Sequence, residues 1–381
     1  MQGALDGVRI LDLSRILAGP FASQLLSDLG ADVVKVESLD GDDTRGWGPP
    51  FIDLDGEEVA AYFVSCNRGK RSIALDLKSE SGRRKARALV GAADIILENF
   101  RPGTLERLIG DPLAIRSDLI VCSISGFGAT GPRRDEPGYD VALQGMSGLM
   151  SITGIDGEAP IKVGVAWIDV ITGLLASNAI QAAYIHRLRT GQGQRIDLSL
   201  WDAAQMALVN QAQNMLVTGS DPIRMGHAHP NLVPYRAFES SDGWLIIAVG
   251  SDPQFERLDT LLGTDLIQNP SLRKNAGRVL NRTLVDDTLA DVLLTRTRSE
   301  WVEALQAIGV PCAPIQTLSE AFQDPQTVAR SGVWREDGVE MVSNALRFMD
   351  VTPARPKRRP PRLDEHHDEV LLEWLEETDI G

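Results

Sequence analysis

The order of elements in the first 125 residues constrains the fold most, because short β-branched runs alternate there with helical stretches. VRILDLS (8–14) reads as a buried strand, and PFASQLLSDLG (20–30) as a helix with Pro20 in its first turn and Gly30 at its end. DVVKVE (32–37) is the next strand, and SIALDL (72–77) alternates as a strand should. SESGRRKARALVGA (79–92) forms a basic-faced helix, and ADIILEN (93–99) and SDLIVCSIS (117–125) complete the series. Strands separated by helices require right-handed βαβ crossovers, so the expected class is α/β with a parallel sheet. With 381 residues, 43% of them hydrophobic, the chain can bury a sizeable core and suggests two or three domains.

After Gly138 the pattern changes to longer helices, expected over 139–151, 165–189 and 201–217, with a strand at QRIDLSL (194–200). TGSDPIRMGHAHPNLVPY (218–235) is turn-rich and reads as a linker. Beyond it GWLIIAVG (243–250) is a strand, and helical patterns at 252–262, 284–295 and 298–308 suggest a smaller second domain. VTPARPKRRPPR (351–362) is an extended Pro/Arg-rich segment ahead of an acidic helix at 364–377. Residues 163–185 carry a single charge over about one bilayer-spanning length, yet Asp169, Thr172, Ser177, Asn178 and Gln181 lower their hydrophobicity, so a core helix is expected and no membrane partner. A net charge of −15 argues against nucleic acid and anionic membranes, though not against a small phosphorylated ligand met by a local basic cluster. Cys66, Cys122 and Cys312 have no paired or metal-like spacing, and MQGALDG lacks a basic and then apolar start, so a cytoplasmic protein is expected.

GFGATG (126–131) matches the dinucleotide fingerprint G-x-G-x-x-G in form only. That fingerprint needs a helix opening on the glycines, whereas GPRRDEPGYD follows, with two prolines and no helical periodicity. A loop leaving a strand is the better reading. In an open parallel sheet, ligands gather beyond the carboxyl ends of the strands, and Arg45, Lys78, Arg101 and Arg107 follow such ends. Their convergence on one edge of an acidic protein would suit a phosphate-bearing anion. Asp169 in VGVAWIDVITGLL is the other candidate: a carboxylate in apolar surroundings is either a helix cap or a poorly hydrated nucleophile, and the two roles are compatible. His227 and His229, and His366 with His367, have spacings a metal could use but no further ligands nearby, so no metal is expected.

Several blocks carry a family resemblance: RILAGPFASQLLSDLGADVVKVE, NRGKRSIALDLK, ADIILENFRPG, GYDVALQGMSGLMSITG, VGVAWIDVITGLLA, RTGQGQRIDLSLWDA, HPNLVPY and, near the tail, DPQTVARSG and EHHDEVLLE. In that order they resemble the family III CoA-transferases, the formyl-CoA transferase and carnitine CoA-transferase group. The resemblance implies a Rossmann-like large domain made by both chain ends (1–217 and 331–381), a linker and small domain between them (218–330), and an interlocked homodimer. It implies that Asp169 is the nucleophile, passing through an aspartyl–acyl anhydride and an aspartyl-CoA thioester. It also implies an acyl-CoA and a small carboxylic acid as substrates, with no permanently bound cofactor. The CoA contacts it carries over fall on Leu17, Ala18, Ser38, Leu75, Lys78, Asn99, Phe100, Arg101 and Arg107. Tyr139, Gly250 and Ser251 fall on the substrate side.

The chain departs from formyl-CoA transferase-like members, which have Gln, Arg and Lys where it has Leu17, Ser38 and Pro137. That argues against formyl or oxalate specificity and leaves fewer charges for the CoA phosphates. The glycine loop reads VGSDPQF, without a glycine run. HPNLVPYRAF and DPQTVARSG resemble the branch that uses succinyl-CoA and small dicarboxylates. Two other readings remain: an α-methylacyl-CoA racemase, whose GHD is replaced here by GYD (138–140), removing the histidine base, and a non-catalytic CoA-binding protein, which would have no need of Asp169.

Overall fold

In the computed structural model, which describes residues 3–348 and 358–376, the chain divides into two compact units. The first comprises residues 1–149, 162–220 and 326–381, and the second residues 150–161 and 221–325.

The first unit is built on a six-stranded sheet of β1 (Arg9–Asp12), β2 (Asp32–Glu37), β5 (Arg71–Ala74), β6 (Ile95–Glu98), β7 (Ile120–Ser125) and β8 (Gln194–Ser199). Every pairing is parallel and the order is β5-β2-β1-β6-β7-β8. Between β2 and β5 a small antiparallel hairpin intervenes, β3 (Phe51–Leu54) with β4 (Glu57–Ala60). The helices before β8 in chain order are α1 (Ala18–Asp28), α2 (Ala61–Asn67), α3 (Glu80–Ala92), α4 (Thr104–Ile109), α5 (Pro112–Ile115), α6 (Asp140–Met146), α7 (Leu149–Ile152), which beyond Leu149 belongs to the second unit, and α8 (Trp167–Thr190).

Both faces of the sheet are covered, which is why its strands are apolar on both sides. Ile10, Val33, Ile95, Leu97 and Ile120 pack with Ala22 and Leu26 of α1 and Ala176 and Ile180 of α8. Their alternating neighbours Leu11, Val34, Ile96 and Val121 pack with Leu89 and Val90 of α3 and with Val370 and Trp374 of the C-terminal helix His367–Glu376. Gly173 allows α8 to lie close on α1: a Cβ there would stand 2.7 Å from the Ala18 carbonyl oxygen. The second unit has an antiparallel sheet, β9 (Tyr235–Ser240), β10 (Gly243–Ala248) and β11 (Cys312–Pro314), around a core that includes Phe238, Leu245, Phe255, Leu289 and Trp301.

Several sequence expectations need correction. SIALDL stops being a strand at Ala74, because Asp76 and Leu77 turn the chain into the Ser79 cap of α3. The helix expected over 139–151 is two short ones, and that over 201–217 is broken into Leu200–Met206 and Val209–Thr218, with Val209 at φ +40°. β9 follows directly on the segment read as a linker. Four-residue strands were too short to show periodicity, so β3–β4 and the later hairpin β12 (Val333–Glu336) with β13 (Val339–Val342) were not anticipated. Residues 351–357 of the Pro/Arg-rich stretch lie outside the described residues.

α8 is the expected core helix on one face only. It is the one helix among the described residues long and apolar enough to cross a membrane, by length and composition alone. Ile168, Thr172, Ala176, Ile180 and Ala183 are buried, whereas Leu174, Ile185 and Leu188 are exposed in the single chain. Arg187 near its end pairs with Asp94 at 2.8 Å.

Candidate active site

The strand order fixes where a cleft must open. From β1 the chain winds outward through β2 to β5 and then returns to β6 on the other side of β1, so the loops after β1 and β6 diverge. A cavity of about 470 Å³ lies there, lined by Ile16, Leu17 and Ala18 after β1, Asn99, Phe100 and Arg101 after β6, and by Tyr139, Asp140 and Asp169. Asn99 ties the two loops together: its Oδ1 accepts from the Arg15 amide at 2.9 Å and its Nδ2 donates to the Arg15 carbonyl at 2.7 Å. Ile16, next in line, is held at φ +71°, a region that β-branched residues avoid.

Of the glycines of GFGATG, Gly126 serves packing, while Gly128 and Gly131 take φ +85° in turns of the loop. No helix follows them before Asp140, and Gly126 lies against Gly138 so closely that a Cβ would stand 2.7 Å from the Gly138 Cα. The 138–140 turn is thereby drawn onto the end of β7.

Asp169 occupies the first turn of α8 and lines this cavity and a second one of about 620 Å³ whose walls include Phe21, Trp47, Tyr62, Val165 and Val170. It is not the helix cap. The Asp140 carboxylate takes that role from α6, accepting from the Ile168 amide at 2.8 Å and the Asp169 amide at 3.3 Å. Gln144 in turn donates to Asp140 Oδ1 at 2.6 Å and accepts from the Val163 amide at 2.9 Å. Burial pushes the Asp169 carboxyl up, the neighbouring Asp140 charge adds to it, and the group reaches about 7. The helix amides that would have stabilised its charge are engaged elsewhere, so of the two expected roles the cap does not hold.

Beneath the β1–α1 loop lies a buried ionic network. Lys70 Nζ contacts Asp12 Oδ2 at 3.1 Å and the Pro20 carbonyl at 2.9 Å; Lys35 Nζ contacts Asp42 Oδ2 at 2.8 Å and the Ser14 carbonyl at 2.9 Å. Asp12 also accepts from the Ser14 amide at 3.0 Å. Both lysine side chains are 0% exposed. Burial works to raise the Asp12 carboxyl, but Lys70, Lys35 and two serine hydroxyls outweigh it, so it lies below its ordinary value. Asp42, opposed by burial and favoured by Lys35 and Thr44, falls to about 2.

Arg45 belongs to this scaffold rather than to an anion site. It is buried, with Nε 2.8 Å and Nη2 2.7 Å from the two Glu37 carboxylate oxygens and its guanidinium over the Phe63 ring. The expected convergence of four cations is thus reduced. Leu17, Ala18, Asn99, Phe100, Arg101, Tyr139 and Asp169 share the crevice, while Ser38, Leu75, Lys78 and Arg107 do not line it. Ser38 and Lys78 are exposed beyond β2 and β5, Leu75 is buried, and Arg107 is exposed on α4 and bonded to Thr104. Gly250 and Ser251 lie in the second unit, between β10 and the helix Asp252–Leu262. Among the described residues no three His, Cys, Asp or Glu side chains gather as a metal site; His227 bonds Arg236 and His367 bonds Asp364.

Residues 5–367 match the family model described as CoA-transferase family III. The chain belongs to that family. As a family III CoA-transferase it is 45% identical to the succinate–glutarate CoA-transferase of Agrobacterium fabrum, over 98% of this chain and 97% of that protein. It is 37% identical to human succinyl-CoA:glutarate CoA-transferase, over 98% of this chain and 87% of that protein. It is 35% identical to the acetyl-CoA:oxalate CoA-transferase of Acetobacter aceti, over 96% and 94%. A solved CAIB/BAIF family protein from Brucella suis superposes with a TM-score of 0.89 at 46% identity, covering 98% of this chain and 100% of that one. The α/β architecture with its parallel sheet is therefore that of the family.

In this CoA-transferase, sequence reasoning passed over Asp140, Gln144, Tyr62 and Glu98. Asp140 and Gln144 were visible only as an i, i+4 polar pair opening a helix. Glu98 ends β6 in an otherwise apolar run; burial pushes it up to about 7, and its Oε2 accepts from the Phe100 amide at 2.7 Å.

Proposed function

We propose that this enzyme moves CoA from succinyl-CoA to a small dicarboxylic acid through covalent intermediates on Asp169. The observation that carries the reading is the position of that carboxylate, where the crevice beyond the strand ends meets a second, mostly apolar cavity. The Asp169 oxygen attacks the thioester carbonyl, the C–S bond breaks, and CoA leaves as the thiolate. The thiolate then attacks the aspartyl carbonyl of the anhydride, releasing the donor's acid as its carboxylate and leaving an aspartyl-CoA thioester. The acceptor carboxylate displaces the thiolate to form a new anhydride, and the thiolate takes the acceptor acyl group, regenerating Asp169. Water would hydrolyse either intermediate, which is what apolar walls of Phe21, Trp47 and Val170 would guard against.

In this reading Leu17, Ala18, Asn99, Phe100 and Arg101 hold the pantetheine and its phosphates. Ser38, Leu75, Lys78 and Arg107, on the same carboxyl edge of the sheet, serve the nucleotide end. Tyr139 faces the acid, and Gly250 and Ser251 keep the substrate-side role that the resemblance implies. The names of the Agrobacterium, human and other relatives support succinyl-CoA and glutarate as the first pair to try. Purified enzyme given succinyl-CoA and glutarate produces glutaryl-CoA and succinate, with turnover at least about tenfold faster than with oxalate; glutarate-independent hydrolysis alone would overturn the reading. Succinyl-CoA incubated in deuterium oxide without a second acid should gain no α-deuterium, in contrast to a racemase.

The same reading includes a homodimer, supported by the exposed Leu174, Ile185 and Leu188 of α8 and the exposed Leu216 and Val217 of the helix Val209–Thr218. Sedimentation equilibrium should give twice the chain mass at micromolar concentration, and a monomer would remove that support. The free thiols of Cys66, Cys122 and Cys312 fit a reducing compartment such as the cytoplasm.

A further inference from the structure

We infer that Asp140 is a positioning residue that keeps Asp169 a strong nucleophile by occupying the helix donors Asp169 would otherwise use. The inference rests on the proposed role of Asp169 but concerns a different residue and a different readout.

The first turn of a helix offers free amides, and an acidic side chain in that turn ordinarily takes one or profits from their partial charge. In α8 those amides are already engaged. Trp167 N donates to the Val165 carbonyl at 2.8 Å and Val170 N to the Ala166 carbonyl at 3.1 Å. Ile168 N and Asp169 N donate to one oxygen of Asp140. Ala166, the residue at the capping position, has no side chain that could accept a bond. The cap comes instead from α6, and Gln144 fixes it by bonding the other oxygen of Asp140 and the strand of chain leading into α8. Asp140 is 9% exposed and Gln144 0%, so neither geometry is a surface accident.

Two consequences follow for Asp169. Its backbone is held from behind, which leaves the carboxylate directed away from its own helix amides and bordering both cavities. It also carries a second negative charge at its back, so ionisation is disfavoured and each oxygen that does ionise is more basic and more nucleophilic. The other groups facing it do not supply this effect. Tyr62 comes from α2, Tyr139 from the turn before α6, and Lys162 from the segment before α8. Across the crevice stand Arg15, Arg101 and Arg134, with Glu136 beside them. The three arginines and the lysine would favour the charged form. Asp140 is the carboxylate in direct contact with the Asp169 backbone.

The test is the pH dependence of kcat/KM for CoA transfer. In the wild-type enzyme the acid limb has its midpoint near 7, with activity rising as Asp169 loses its proton. Asp140→Asn keeps the shape and one acceptor oxygen, which serves either the helix amides or Gln144, removes the charge, and lowers that midpoint by about one pH unit while the plateau falls about tenfold. Asp140→Ser, a short neutral acceptor for the same amides, moves the midpoint the same way. A plateau that falls with the midpoint unmoved would reduce Asp140 to a structural cap and overturn the inference. Carbon-13 titration of the wild-type enzyme needs no variant to fold: Asp169 should titrate near neutrality, and an Asp169 that titrates in the usual carboxylate range overturns the inference as well. Asp169→Ala separates the two claims, since turnover surviving there defeats the reading of the site and leaves the Asp140 shift without meaning.

Discussion

Asp169→Ala loses CoA transfer by a factor of at least about 10⁴ in kcat, because a covalent route has no detour around its nucleophile. CoA affinity changes little, since the loops proposed to hold CoA leave β1 and β6 and are tied to each other by Asn99 rather than by Asp169. Equilibrium dialysis with CoA therefore shows binding where the assay shows none. Hydroxylamine trapping of wild-type enzyme exposed to succinyl-CoA modifies the peptide containing Asp169, and an unmodified peptide together with an active variant would sink the covalent scheme. The neutral isostere Asp169→Asn adds a thermodynamic check. The folded carboxyl titrates near 7 and the unfolded one near 3.8, so the folded state holds the proton more tightly and loses stability as pH rises through that window. The variant is then more stable than wild type at pH 8, by up to roughly 4 kcal/mol, and indistinguishable from it at pH 3.

Asp12→Ala destabilises the fold by about 3–5 kcal/mol, the range for breaking a buried ion pair and leaving its cation behind. Lys70 would keep only the Pro20 carbonyl and Asn67 as partners, in a place without solvent. Thermal unfolding should fall by roughly 10 °C. Asp12→Leu with Lys70→Met recovers much of the loss, because neither charge is then stranded. A single variant within about 1 kcal/mol of wild type would show that the network is dispensable. The pH dependence has the opposite sign to that of Asp169. Asp12 and Asp42 lie below their ordinary values in the fold, so what they contribute is present above the unfolded value near 3.8 and is lost as pH falls toward 2. Because Asp12 also holds Ser14, the variant loses activity along with stability.

Much of the molecule was legible from local pattern. DVVKVE is β2 residue for residue, the helix at 252–262 has the bounds its periodicity gives, and α3 covers all but the first residue of the helix expected over 79–92. A parallel sheet follows from strands alternating with helices, and a cleft beyond the carboxyl ends follows from a parallel sheet. Asp169 was conspicuous for the same reason: a charge within an apolar run has to be explained. Local pattern cannot weigh charges that meet through space. Arg45 read as a cation available for a phosphate, and only the approach of Glu37 and Phe63 turned it into part of the scaffold.

Asp140 is the clearest case of what the amino-acid order left open. Between it and Asp169 lie 28 residues, and the hydrogen bonds that make one the cap and the other a bare carboxylate exist only once α6 folds back on the start of α8. The sequence determined the elements, their class and which acid was out of place, because those depend on neighbours a few positions away. The tertiary structure decided which acid receives the helix amides, which lysines are buried and which face of α8 is left uncovered, because burial and Coulomb energy depend on distances that chain order does not contain.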